Sequence, residues 1–413
     1  MKRVSLIFLL SLVFTSHILS QNNFTLNRFL KKDSYKFQTK NEQFRFEFGG
    51  RMFADAAIYF NDETELKSGG EIRDLRLRLD ADFRTKWSAR INIDFSELEV
   101  SLKDIFIKYK INENCFVRAG YFFEPFGVEQ TESTNDIKFM HVSSSVEAFR
   151  PGRNIGVEYN RWNEYYYLGV GIFGSKINYS KEKINSYNYY IYSKREKSKA
   201  ELNFEDGYGF SSRMVIVPVK TDLNILHLGL SGNYRILEKL SRKDRLVRYY
   251  SRAGTHIEKV NFLDVELNHV KSEMKYAVEL VGAINNFSFQ SELIKVKVNR
   301  ESGYKNYSAD GWYTQVAMLI KGGKYSYKSK SARLNRPKTG AIEILARYNE
   351  MNLNDRGIYA MGGMQKDYTL GCNWYASSNI ILKLNVSNIA VDRYALNGIE
   401  NFNMIQTRVQ FSF

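Results

Sequence analysis

The sequence predicts an all-β fold: a closed transmembrane β-barrel of about sixteen antiparallel strands, with short periplasmic turns and long outer loops. Three observations predict it. The last nine residues (IQTRVQFSF, 405–413) place Ile405, Thr407, Val409, Phe411 and Phe413 on one face. Gln406, Arg408, Gln410 and Ser412 fall on the other. Terminal strands of bacterial outer-membrane barrels have this form, aromatic last residue included. Second, short alternating segments recur along nearly the whole chain, joined alternately by tight turns and long loops. Third, the chain opens with an export signal, yet no later apolar run reaches the length of a membrane helix. Composition agrees. The 413 residues include 28 Tyr, 28 Phe and only 4 Pro, and mean hydropathy is −0.41. Many aromatics, few prolines and abundant polar residues suit long amphipathic strands with aromatic girdles.

Taken in order, residues 1–20 form the signal. Lys2 and Arg3 are its charged start, and the apolar run VSLIFLLSLVF is too short to span a bilayer. Residues 21–43 read as a short periplasmic extension, and 44–413 as the barrel. The first strand lies near 44–59. Residues 75–83 (LRLRLDADF) carry Leu75, Leu77 and Leu79 on one face and Arg76, Arg78, Asp80 and Asp82 on the other. Facing lipid, each Arg costs roughly 2–4 kcal/mol at the bilayer midplane, so the charged face must meet water or protein. A tight turn at 84–86 leads to WSARINIDF at 87–95, with Arg90, Asn92 and Asp94 on its polar side. Residues 105–109 and 117–121 form the next pair around a turn at 112–114. A long irregular segment follows, 123–154. Strands at 155–159 and 166–174 precede a polar loop at 175–206. Strands at 208–219 and 225–235 precede a basic stretch at 236–275. Strands at 276–284, 287–298, 311–320, 340–348, 365–375 and 380–389 complete the walk to the last strand.

At this point the chain resembles the phosphate-selective porins of types O and P. The resemblance rests on LRLRL at 75–79, LKDIFIKY at 102–109, AGYFFEPFG at 119–127, FRPGRNIG at 149–156, GWY at 311–313, GAIEILARY at 340–348 and TLGCNWY at 369–375. Order and spacing match across roughly residues 44–413. The resemblance implies a sixteen-stranded homotrimeric barrel. It also implies a third loop, here 123–154, folded into the lumen as the constriction, and selectivity set by lumenal Arg and Lys. Arg76, Arg78 and Arg153 fall in matching motifs. Fold transfers from such a resemblance more safely than substrate does.

Net charge is +15, and lipid-facing positions contribute almost none of it. A narrow channel lined by one sign of charge concentrates the opposite ion, and the guanidinium fork fits phosphate oxygens. Alternation nominates Arg76, Arg78, Arg90, Lys108 and Arg118 for the wall, with Arg73 near the outer mouth. Lys138, Arg150 and Arg153 are nominated in or beside the third loop. The expected partners are small anionic, phosphate-like solutes and outer-membrane lipid with lipopolysaccharide; nucleic acid is not expected. The competing reading is a mixed wall in which Asp80, Asp82, Asp94 and Glu124 neutralise these cations. Basic loops at 175–206 and 236–275 read first as solvated. Phe122, Phe123 and Phe126 read as anchors for the third loop ahead of channel lining. Trp162, Tyr165, Tyr166 and Tyr375 read as an interfacial girdle.

Cys115 and Cys372 read as free thiols, and no metal or cofactor is implied. An enzyme needs a nucleophile beside a base. The five His include His17 in the signal, and no GxSxG motif occurs. A closed adhesive barrel is the other rival class; it passes no ions.

Overall fold

The computed structural model describes residues 35–39, 43–96, 100–176, 207–237, 245–395 and 398–413. The expected signal, most of the N-terminal extension and most of the loop at 175–206 lie outside them. Sixteen staves form the wall. They are β1 (Phe44–Phe60), β2 (Gly69–Phe83), β3 (Trp87–Asp94), β4 (Ser101–Asn112), β5 (Cys115–Phe123), β6 (Arg153–Trp162), β7 (Tyr166–Phe173) and β8 (Gly207–Lys220). They continue as β9 (Asn224–Leu237), β10 (Val270–Ile284), β11 (Phe287–Arg300), β12 (Tyr307–Lys321), β13 (Ile342–Asp355), β14 (Ala360–Trp374), β15 (Ile380–Val391) and β16 (Glu400–Ser412). Each pairs antiparallel with the next, and β16 returns to β1 with Arg51 opposite Ser412 and Phe60 opposite Asn403. Full closure leaves no unpaired edge, which is what lets a sheet cross lipid.

The seam is tied at its end by two backbone bonds between Gly50 and Phe413, both 3.0 Å. A Cβ at Gly50 would sit 2.7 Å from the Phe413 ring, so only glycine admits the terminal aromatic there. β16 stops before the start of β1. Within the expected N-terminal extension, a further strand, Tyr35–Gln38, pairs with residues 45–48 of β1 and covers that edge.

Alternation sorts the side chains. Leu75, Leu77 and Leu79 remain 39–41% exposed on the outer surface, whereas Arg76 between them is 9% exposed. On β16, Gln406, Arg408 and Gln410 are buried inside while Ile405, Val409 and Phe411 face out. Arg408 lies opposite Asp55 of β1 and grips it through two bonds of 2.7 Å.

Three connections fill the lumen. The third loop, 124–152, carries two short helices, α1 (Val128–Thr131) and α2 (Ser144–Phe149). It lies along the inner wall from β9 to β16. A hairpin of Val247–Ser251 with Leu263–Leu267, from the β9–β10 connection, packs on α2 and on inward apolar residues such as Tyr307, Met351 and Phe402. This part of the stretch expected to be solvated is therefore core. The β12–β13 connection, 322–341, stands among the short turns yet is long, and it folds into the barrel. Arg213 of β8 donates to the Ser331 and Ala332 carbonyls at 3.3 and 2.9 Å, and Tyr325 donates to Glu343 at 2.6 Å.

Candidate functional site

Because the third loop takes the β9–β16 side, the open lumen lies against β1–β7. A cavity of about 550 Å³ occupies it. The wall side follows from cross-strand register. Asp80 stands opposite Arg90, Arg76 opposite Asp94, Lys108 opposite Arg118, and Arg118 opposite Glu158. Opposed residues on one face of a sheet lie close enough to bond, and most of these pairs do. Arg90 holds Asp80 at 2.6 and 3.2 Å. Arg76 reaches Asp74 at 2.9 Å and Asp94 at 3.1 Å. Arg78 reaches Asp80 and Glu47, Arg118 reaches Glu158, and Arg153 grips Asp104 at 3.0 and 3.3 Å. Arg51 grips Asp74 in the same two-pronged way.

Lys108 and Arg118, opposite each other across the strands, each also rest on a ring. Lys108 lies 5.6 Å from the Phe116 centroid, and Arg118 lies 3.9 Å from Phe122. Arg153 stacks on Phe123 at 3.7 Å. Ring faces hold cations without neutralising them.

Thirteen cationic and three acidic side chains line the cavity. Five further acids, Asp74, Asp94, Asp80, Glu47 and Asp136, pair with the lining cations from behind. Counting all of these, thirteen cations face eight carboxylates. Five cations make no ion pair among the described residues: Arg73, Lys108, Arg150, Lys328 and Lys330. Arg73 instead meets His256 at 2.8 Å. In the loops, burial lowers Arg150 with Glu147 opposing, and burial lowers Lys328 with Arg333 adding to the effect.

Eight of the nine nominated residues line this one cavity: Arg73, Arg76, Arg78, Arg90, Lys108, Arg118, Arg150 and Arg153. Lys138 does not. It turns behind the loop to pair with Glu343, under the Tyr325 ring at 4.4 Å. The expectation for Lys138 is thus corrected, because a loop without period gives no face assignment. Asp80 and Asp94 do pair with wall arginines, as the mixed-wall reading expects. Asp82 pairs with Arg45, and Glu124 with Arg235 behind the loop.

Three further lining cations, Lys328, Lys330 and Arg333 of the 322–341 segment, escape the strand alternation. The signal present for them is a run of Tyr, Lys and Ser before Pro337. Two girdle assignments are also corrected. Trp162 points inward, with Lys330 5.7 Å from its ring. Tyr375 is buried and donates to Glu343 at 2.8 Å. Phe122 and Phe126 are buried anchors, whereas Phe123 lines the cavity.

The loop is pinned as firmly as the wall. Both oxygens of Glu292 on β11 accept backbone N–H groups of α1, Val128 and Glu129, at 3.0 Å each. Gly127 has φ +64°, and a Cβ there would sit 2.2 Å from Glu292, so the approach requires glycine. Lys383 donates to the Ile137 carbonyl at 2.5 Å, and Asn373 to that of Lys138 at 2.9 Å.

Among the described residues, no group of three His, Cys, Asp or Glu is placed to hold a metal, and both cysteines are free. The rings of His141 and His256 lie 4.7 Å apart where the third loop meets the inner hairpin. Burial, with Arg73 and Arg408 nearby, holds both well below the ordinary histidine range.

The family model described as phosphate-selective porin O and P matches residues 46–413. Porin O of Pseudomonas aeruginosa is 23% identical over 415 residues, covering 92% of this chain and 91% of its own. Among solved structures, OmpT of Vibrio cholerae in its trimer form superposes with a TM-score of 0.55 at 6% identity, over 90% of this chain and 99% of that one. An anion-selective porin from Comamonas acidovorans gives 0.54 at 12% identity, over 90% and 100%.

Proposed function

This chain belongs to the phosphate-selective porin O and P family, and on that premise we propose that its lumen passes small hydrophilic anions by diffusion. The protein is a bacterial outer-membrane porin, a channel rather than an enzyme. The observation that carries the anion preference is the cavity lining, with thirteen cations against three acids. Lumenal rings of Arg and Lys are the expected lining of anion and phosphate pores. The solute-contact residues in this reading are Arg73, Arg76, Arg78, Arg90, Lys108, Arg118, Arg150 and Arg153, joined by Lys328, Lys330 and Arg333.

An arriving anion meets guanidinium groups already held in place by carboxylates and rings, so little ordering remains to be done at contact. Several partly neutralised contacts let it leave again. Phosphate-like solutes are the leading candidates, because guanidinium pairs planar donors with phosphate oxygens. Assembly as a homotrimer is supported by the shared fold with an outer-membrane protein solved in trimer form. Export through residues 1–20 is supported by Lys2, Arg3 and the short apolar run after them.

One observation favours a second reading, a weakly selective pore: eight of the thirteen lining cations are ion-paired. Single-channel recording in chloride with inorganic phosphate added separates the two. Reduction of the chloride current at low phosphate supports a phosphate site. An unchanged current at all phosphate concentrations overturns it and leaves the general pore.

A further inference from the structure

One side of the cavity is the basic wall. The inserted connections line it too: the 322–341 segment and, from the third loop, a short stretch from Thr131 to Asn135. Glu132 ends α1, its backbone N–H donating to the Val128 carbonyl at 3.1 Å. Of the three acids lining the cavity, Asp104 is held by Arg153 and Glu158 by Arg118. The Glu132 side chain has no hydrogen bond or ion pair among the described residues. It is the lining acid whose charge no cation cancels, and it sits on the inserted loop that narrows the lumen.

We propose that Glu132 sets the strength of the channel's anion preference through the charge state of its carboxyl group. The proposal rests on the porin reading above. As a carboxylate, Glu132 subtracts one charge from the field at the narrowed part of the lumen. As a neutral acid, it leaves the basic wall unopposed. Its surroundings bring the charged and neutral forms close to balance near neutrality. Burial between loop and wall raises its pKa to about 7; Arg333 opposes, and Glu129 adds to the rise.

The charged groups around it come from two elements. Arg333 belongs to the 322–341 segment; Glu129, Asp136 and Lys138 belong to its own loop. Asp136 is paired with Arg333 and Lys138 with Glu343, so both are already answered. Glu129, on α1, accepts from the Ser143 N–H at 2.8 Å and pairs with Arg347 of β13 at 3.6 Å. The wall lining the same cavity carries Arg51, Lys103 and Arg153, and Arg51 donates to Asn135 of this loop at 3.3 Å. His141 and His256 do not line the cavity and are held neutral in this range.

The sign follows directly. Above its pKa, Glu132 is charged and anion preference is at its lower value. As pH falls through about 7, the carboxyl is neutralised and preference rises. One unit charge several ångströms from a passing ion in a water-like medium changes its occupancy roughly two- to threefold. The test uses the full chain in planar bilayers, with reversal potential measured under a potassium chloride gradient at about pH 6 and about pH 8. Wild-type protein is expected to show an anion-to-cation permeability ratio roughly two- to threefold higher at the lower pH. Glu132→Gln is expected to show the higher ratio at about pH 8 and to lose most of the pH dependence, and Glu132→Asp to keep it. A Glu132→Gln channel with the wild-type pH response overturns the proposal, as does a wild-type ratio that does not change with pH. Wild-type protein that conducts no ions overturns the porin reading itself, and the proposal with it.

Discussion

Lys108 and Lys330 offer the cleanest test of what sets ion preference. Neither has a carboxylate within ion-pair distance among the described residues. Lys108 leans on Phe116 and Lys330 on Trp162. Changing both to Gln removes two uncancelled charges and leaves no acid stranded. Arg76 is a poorer target, because its loss leaves Asp74 and Asp94 buried without their shared partner. A unit charge about 5 Å from an ion in water is worth ~0.8 kcal/mol, so the pair shifts a passing anion by ~1.5 kcal/mol, about tenfold. Screening at 0.1 M salt brings that toward about fivefold. The assay is reversal potential across a salt gradient, with single-channel conductance as the check that the pore is intact. The double variant is expected to lose anion preference by about five- to tenfold. An unchanged permeability ratio at normal conductance would refute the assignment of these lysines to the ion path.

Two further outcomes concern the frame around the channel. Glu292→Ala removes the acceptor of two amide hydrogen bonds, each worth about 0.5–1.5 kcal/mol, so the Val128 and Glu129 amides should exchange with solvent up to roughly tenfold faster. Protection equal to wild type in a hydrogen-exchange experiment would mean that α1 is held by something else. Arg408→Leu strands the buried Asp55 carboxylate at the seam between β16 and β1, a loss of about 3–5 kcal/mol. The denaturation midpoint of the folded barrel in detergent should fall clearly; a midpoint equal to that of the exposed-site variant Arg393→Leu contradicts the seam assignment.

Much of the wall is legible in the sequence, and for a physical reason. Period-two alternation decides which face a strand residue occupies, and lipid tolerates no charge on its side. Leu75, Arg76, Leu77 and Arg78 therefore declare their faces by alternation alone. The same rule places Gln406, Arg408 and Gln410 inside. What the sequence does not declare are the parts without period. Lys138 reads like the other loop cations but turns to Glu343, because loop direction is set by contacts far along the chain. The 322–341 segment sits in a turn position, and nothing local says that Arg213, more than a hundred residues earlier, binds its carbonyls. Trp162 and Tyr375 lie at strand ends, where an aromatic suits a lipid interface and a lumenal cluster equally. The hairpin at 247–267 carries enough charge to read as solvated, while its Tyr249, Phe262 and Leu263 are buried against the apolar outer half of the lumen.

The central claim is that the water-filled side of this barrel carries an uncancelled positive charge. It is tested most directly by the reversal potential of the unmodified protein in a planar bilayer with concentrated potassium chloride on one side. A potential with the sign set by chloride, shrinking as salt is raised on both sides, is the outcome this lining demands. A potential with the sign set by potassium would contradict it.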